Sequence, residues 1–301
     1  MHAVLLACAA AAVYASGTSL QHRAASRVPH GDTSAIGLLA RLLRRPGWLL
    51  GLALSGVAFI LHVAALHHGS LTLVQPVVVS TVVFAVFVRA GLDRRLPPRK
   101  EIAWAICTWA GLSLFIGMLE TRAAGHAAND RAAELFSVSG LAVTVLAIVW
   151  AKKTSTAARR GLLLGVAAGV LFGLTAGLLK LVTIHGAFGP MSILRHWSLW
   201  AMLVVGISAL SLTQRAYQAA RLSVTMPILN IADVLVAIGF GSSVFGEKLF
   251  SSPARLVAEL AGLIVMGIGV WQLARQEEES GNFDYPVRPV GPAPRPSGGS
   301  P

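Results

Sequence analysis

The 43 residues between Arg45 and Arg89 contain no Asp, Glu, Lys or Arg. At about 20 residues per crossing, such a run is two bilayer spans, and no soluble core requires it. Apolar runs of the same kind, separated by short polar or basic stretches, recur along most of the chain. The pattern predicts spans at about residues 2–20, 47–67, 71–90, 102–119, 135–151, 161–184, 196–213, 222–245 and 254–274. Each is long enough to cross as a helix, which satisfies its own backbone in lipid; the alternating ten-residue strands of a barrel are absent from the sequence. The expected fold class is an all-α polytopic membrane protein of nine transmembrane helices.

Three segments fall outside this rhythm or test it. The first span contains Val13-Tyr14-Ala15 and Leu5-Leu6-Ala7-Cys8, which look like a cleavage site and a lipoprotein box. A secretory signal needs a basic stretch before its apolar run, and only Met1 and His2 precede this one, so the segment is expected to remain as a span. Thr33 to Arg45 carries Ile36, Leu39, Leu42 and Leu43 at helical spacing with three arginines, which predicts a short helix lying on the inner membrane surface. Residues 275–301 hold an acidic run and six of the fourteen prolines, and are expected to form a disordered cytoplasmic tail. Its Pro-x-x-Pro spacings are read as part of a solvated tail.

Composition changes the picture in one respect. Hydrophobic residues make up 55% and charged residues 13%, as the spans require, but the formal charge is +12. With nine spans, 19 of the 25 Lys and Arg fall on one side, which places that side in the cytoplasm, the N-terminus outside and the C-terminus inside the plasma (inner) membrane. Because the basic residues punctuate apolar runs, nucleic acid is not an expected partner. Cys8 and Cys107 lie inside apolar runs and read as small buried hydrophobes. The 20 Arg against 5 Lys and abundant Ala fit a GC-rich bacterial source.

The chain also repeats itself. A slide of 151 residues sets Ala65–Pro76 on Ala216–Pro227, aligning Pro76 with Pro227 and Thr72 with Ser223. A slide of 158 sets Gly161, Gly165, Gly169, Gly173 and Gly177 on Ala3, Ala7, Ala11, Ala15 and Ser19. Small residues every four positions let helix backbones approach closely in lipid; packing alone accounts for each stripe. Together the slides pair spans one to four (repeat one, about 3–119) with spans six to nine (repeat two, about 161–274) and leave span five (135–151) between them. An odd offset inverts the second repeat, and inverted repeats around a midplane site are a recurring architecture of secondary transporters.

Candidate chemistry is sparse. Asp233 lies near the middle of span eight with Asn230 one turn before it, and a carboxylate at that depth costs about 2.5–3.5 kcal/mol on insertion scales. It therefore marks a substrate or ion path, with proton exchange as a route to coupling, or else glues helices together. Pro76 and Pro227 each free the carbonyl four residues back, those of Thr72 and Ser223, beside a hydroxyl. Gln75 and Gln214 add amides to the candidate pathway. Lys180, Glu247 and Lys248 are expected to reach the outer headgroups, and Arg255 and Glu259, four apart, to pair. No His-x-x-x-His or His/Cys motif supports zinc chemistry. Gly241–Lys248 has glycines at P-loop spacing but Glu247 where the lysine belongs, and no esterase or glycosidase pattern occurs. No enzyme activity and no cofactor are expected.

The runs GSLTLVQPVVVSTVVFAVF and RLSVTMPILNIADVLVAIGFGSSVFGEKL, together with Gly262, resemble the drug/metabolite transporter superfamily and its EamA-like members, over about residues 3–274. The shared signatures are a helix proline and a terminal Gly-Glu-Lys-Leu, here Gly246 to Leu249. Nine spans, with the second reduced to Thr33–Arg45, more closely resemble the NIPA-type magnesium-transporter branch, as do LLRRPGWLLGLALSG and SLTQRAYQAA. Lys180 falls where that branch tends to carry a lysine, but Leu229 and Asn230 replace its aromatic pair. Actinobacterial members of the superfamily resemble the chain in an acidic residue six after the proline, as Asp233 is after Pro227. The resemblance implies a multi-pass transporter moving a small metabolite or drug-like solute by alternating access. The alternatives are magnesium or other divalent-cation transport, and a non-transporting membrane scaffold. The expected partners are a small-molecule or ion substrate and membrane lipid, with a homodimer left open.

Overall fold

The computed structural model describes residues 2–25, 43–118, 128–186, 189–220, 222–247 and 253–279. They form α1 (His2–Ala25), α2 (Pro46–His68), α3 (Leu71–Val79), α4 (Thr81–Leu92), α5 (Arg99–Met118), α6 (Asp130–Lys153), α7 (Ala157–Gly186), α8 (Pro190–Arg195), α9 (Trp197–Ala219), α10 (Leu222–Val244) and α11 (Pro253–Glu279). Among the described residues nine helical stretches are long and apolar enough to cross a membrane, with α3 and α4 together making one. The protein is an all-α, multi-pass membrane protein. Residues 33–42 of the expected surface helix lie outside the described residues.

Local chemistry sets the boundaries. Pro46 opens α2, where its missing N–H costs no helical bond. Ser70 caps α3 by accepting from Leu73 N, and Asn129 caps α6 by accepting from Ala132 N. The third span, expected as one helix, is divided at Ser80. Pro76 cannot donate to the Thr72 carbonyl, and four residues later the Ser80 N–H turns to Val77 O while the Thr81 hydroxyl takes Val78 O at 2.7 Å. At the other end of the chain α11 runs on through Glu279, past the expected limit near 274, because Arg275, Gln276 and the three glutamates are good helix formers. The rest of the tail lies outside the described residues.

The contacts fix the helix directions. Gly17 meets Gly51, and Gly69 meets Ala3, so α1 and α2 are antiparallel. Arg23 reaches the Leu92 carbonyl, so α1 and α4 end together. Lys180, near the end of α7, reaches Gly69 just beyond α2, so α7 runs with α2 and against α1. The glycines of α7 follow α10 in register, from Gly161 against Thr225 to Gly177 against Phe240, which makes those two parallel. Gly111 and Gly262 cross backbone to backbone, joining antiparallel α5 and α11. Asn129 N donates to Val244 O, so α6 starts where α10 ends.

Two ends of the bundle result. One carries Asp93, Arg94, Arg95, Lys152, Lys153 and Arg160; the other carries His67, His68, Asp130, His185, His196 and Glu247. The spans most enclosed by protein are α7 and the α3–α4 pair, whereas α2 and α6 present large apolar side chains such as Ile60 and Leu135 outward. In water such faces would be a liability. Against lipid they are neutral, and association rests on close packing instead.

Candidate functional site

α10 turns Asp233 to its inner side. Ile231 and Leu235 are exposed, and two residues of helix from either rotate the chain by about 200°, so Asp233 points away from them into the bundle. There it meets Gln75 of α3: the Gln75 amide Nε2 donates to both carboxylate oxygens, at 2.8 and 2.9 Å. Gln75 is buried, and its Oε1 has no hydrogen-bond partner among the described residues. Asn230, one turn before Asp233, has a buried Nδ2 that is also unpartnered. A carboxylate and an amide thus meet between α3 and α10, and a second amide lies one helical turn away on α10. Most buried polar atoms in proteins are paired, so an orphan on Gln75 and another on Asn230, one turn from Asp233, require an explanation.

The position of this cluster follows from the glycines of α7. A Cβ on Gly169 would press on the Leu229 carbonyl and lie 2.7 Å from Ala232 Cβ; on Gly173 it would stand 2.7 Å from Asp233 O and from Val236 Cβ. Only hydrogen at these positions lets α10 lie close enough for Asp233 to be held against α3. Ala7, Ala11 and Ala15 of α1 are fully buried in the bundle. Gly165 packs on Ile228 and Thr225, extending the same seam.

A second polar group lies one helix end away. The sequence places Lys180 and Glu247 at the headgroups; the structure corrects this. Their side chains are 11% and 5% exposed and meet at 2.5 Å. Gly246, at φ +64, turns the chain sharply after α10 and directs Glu247 inward. Its carboxylate accepts from Leu71 N at 2.8 Å, Thr72 N at 2.9 Å and Thr72 Oγ1 at 2.6 Å, and so supplies the first turn of α3 with a charged cap. Lys180 also donates to the Gly69 carbonyl and lies over the Phe245 ring. The signal in the sequence was Lys180 itself, flanked by apolar residues within a helix whose glycine stripe marks it as central.

The remaining expected residues distribute as follows. Pro76 and Pro227 are both buried in their helices. Thr72 is buried at the Glu247 cap, three residues from Gln75, and its hydroxyl is committed there. Ser223 stands at the start of α10, and its side chain lies outside the described residues. Gln214 is exposed on α9, a helix packed chiefly along α7. Glu259 is buried with neither carboxylate oxygen hydrogen-bonded among the described residues, so the pairing with Arg255 expected from spacing is not a hydrogen-bonded one. Lys248 and Leu249 lie outside the described residues. Both cysteines are free thiols.

Over 276 residues the chain is 28% identical to an uncharacterized protein of Corynebacterium glutamicum, covering 91% of this chain and 94% of that one. The two are therefore similar over about nine-tenths of each chain. No family model matches the chain. No solved structure gives a significant match.

Proposed function

We propose that this protein is a secondary transporter that moves a small polar or amphipathic solute by alternating access, with Asp233, Gln75 and Asn230 as its midplane site. The observation that carries this reading is the Gln75–Asp233 contact, with an unpartnered amide atom on Gln75 and another on Asn230 one turn before Asp233. A half-buried carboxylate with a spare donor and a spare acceptor close by is what a solute carrying complementary groups would complete. It joins α3 of the first half to α10 of the second, so a relative movement of the halves would open or close it.

The inverted repeat is part of the same proposal, and pairs of like features in the two halves support it. Arg23, near the end of α1, lies beside Asp93, and Lys180, in the last third of α7, lies beside Glu247. Arg94 at φ 54 and Gly246 at φ 64 turn the chain at matching points after the third span of each half. α1 and α7 run in opposite directions, as inversion requires. The end carrying Arg94, Arg95, Lys152 and Lys153 is cytoplasmic in this reading, and the membrane is the inner membrane of a bacterium, in line with the bacterial relative. The drug/metabolite transporter superfamily, in its EamA-like form, is the family we infer. Divalent-cation transport is less well supported, since Gln75 turns an amide N–H, not an oxygen, toward the carboxylate.

The test is two-sided access. Asn230→Cys, in a background with Cys8 and Cys107 replaced by Ala, should react with a membrane-impermeant thiol reagent from either face of oriented vesicles. Reaction from one face only, or from neither, would sink the proposal.

A further inference from the structure

At the end of the bundle where α10 finishes, three helix termini bring together side chains that lie far apart in sequence. Asp130 is the first residue of α6, His185 belongs to the last turn of α7, and His196 caps α9. Their ligating atoms all lie within 4.8 Å of one another, and His196 Nε2 is 3.8 Å from Asp130 Oδ2. The two imidazoles stack, with centroids 3.6 Å apart and planes 23° from parallel. Because the ligands come from three different helices, no local spacing motif announces them.

We propose that Asp130, His185 and His196 form a binding site for a divalent transition-metal ion of the zinc type. Two hydrogen bonds bear on the tautomers it needs. His185 Nδ1 lies 2.9 Å from the Leu181 carbonyl, which only accepts, so Nδ1 carries the proton and Nε2 keeps its lone pair. His196 Nδ1 lies 2.8 Å from Ser198 Oγ, a hydroxyl able to accept from an Nδ1–H, which leaves Nε2 free toward Asp130. Metal binding selects that tautomer over the one in which Nδ1 accepts from Ser198 N at 3.4 Å. Histidine ligands are commonly held by such a hydrogen bond on the opposite nitrogen.

The donor set decides the class of ion. Two imidazoles and one carboxylate suit Zn²⁺, Co²⁺ or Ni²⁺, whereas Mg²⁺ and Ca²⁺ demand oxygens. Bonds of roughly 2.0–2.2 Å put ligand atoms about 3.4 Å apart around a tetrahedral ion, so closing the site needs movements of about 1 Å and a pivot of the stacked rings. Three protein ligands leave a fourth position for water or another ligand. Glu134, one turn along α6, adds negative charge at His196. A bound ion would fasten α6 to α7 and α9. The site is separate from the Gln75–Asp233 cluster and does not depend on the transport reading.

The experiment is Zn²⁺ titration of the full-length protein in detergent, without a polyhistidine tag, by calorimetry and by metal content after dialysis. We expect one equivalent per chain, unaffected by millimolar Mg²⁺. His185→Asn and His196→Asn should each weaken binding by at least about tenfold, the lower end of what changes behind the ligands alone achieve. Co²⁺ at one equivalent should give intense visible bands of a low-coordinate site. Absence of stoichiometric Zn²⁺ binding, or unchanged affinity in the double histidine variant, overturns the proposal. Should the histidine variants fail to fold, Asp130→Asn at its exposed position provides the check: unchanged Zn²⁺ affinity and Co²⁺ bands there overturn the three-ligand site.

Discussion

Lys180 and Glu247 form a buried ion pair at 2.5 Å, in which the carboxylate also receives the first two N–H groups of α3. The pair is less a surface salt bridge than a joint, since it fixes the end of α10, the end of α7 and the start of α3 to one another. Removing one partner of a buried pair leaves the other charge uncompensated, at about 3–5 kcal/mol. Glu247→Ala should therefore destabilise strongly, and more than Asp93→Ala at the exposed Arg23–Asp93 pair, where about 0–1 kcal/mol is at stake. Thermal unfolding of both variants in the same detergent checks the order, and equal losses would refute the joint.

Gln75 and Asp233 should behave as a coupled pair. Gln75→Leu strands the carboxylate and Asp233→Leu strands the amide, each at about 1–3 kcal/mol, whereas the double variant removes both ends of the contact. The double variant is expected to lose less than the two single losses combined, with a coupling of about 0.5–3 kcal/mol. Strict additivity in a stability cycle would mean that the contact is not formed.

The seam between α7 and α10 makes a steric prediction with an internal control. At Gly173 an added methyl meets Asp233 O and Val236 Cβ at 2.7 Å, and neither can swing aside. Gly173→Ala should cost about 1–3 kcal/mol through overpacking and displace Asp233 from Gln75. A methyl added at Gly56 on α2 would meet none of the described residues within 4 Å, and Gly56→Ala should instead stabilise by about 0.5–1 kcal/mol, the ordinary helix preference. Melting temperatures that fall for both variants, or for neither, would count against the packing described.

These residues also show where the sequence was legible. The spans could be read because charge-free runs of about 20 residues have few uses outside a bilayer. The small-residue stripe on α7 was visible as spacing, but its partner was not, since nothing in the glycines specifies Leu229, Asp233 or Phe240. Asp233 was visible by its isolation, and Gln75 only as a polar neighbour of Pro76; that they touch depends on how α3 and α10 pack, 158 residues apart. Glu247 was misread for a physical reason: a charged residue at the end of a span normally reaches outward, and here the positive φ of Gly246 turns it in. The break at Ser80 likewise depends on hydroxyls competing for carbonyls, a contest that hydropathy does not record.

Sidedness tests the frame on which the transport proposal stands. His68, beside the α2–α3 turn, and Ser155, between α6 and α7, are both exposed and lie at opposite ends of the bundle. The basic residues cluster at the Ser155 end, so that end should face the cytoplasm. In cells expressing His68→Cys or Ser155→Cys, with Cys8 and Cys107 replaced by Ala, an impermeant maleimide should label position 68 from outside and reach position 155 only after the membrane is opened. Labelling of both from outside would break the alternation of helix directions and with it the inversion of the two halves. Labelling of position 155 alone would preserve the inversion and reverse the orientation, placing the Lys180–Glu247 joint on the inner face.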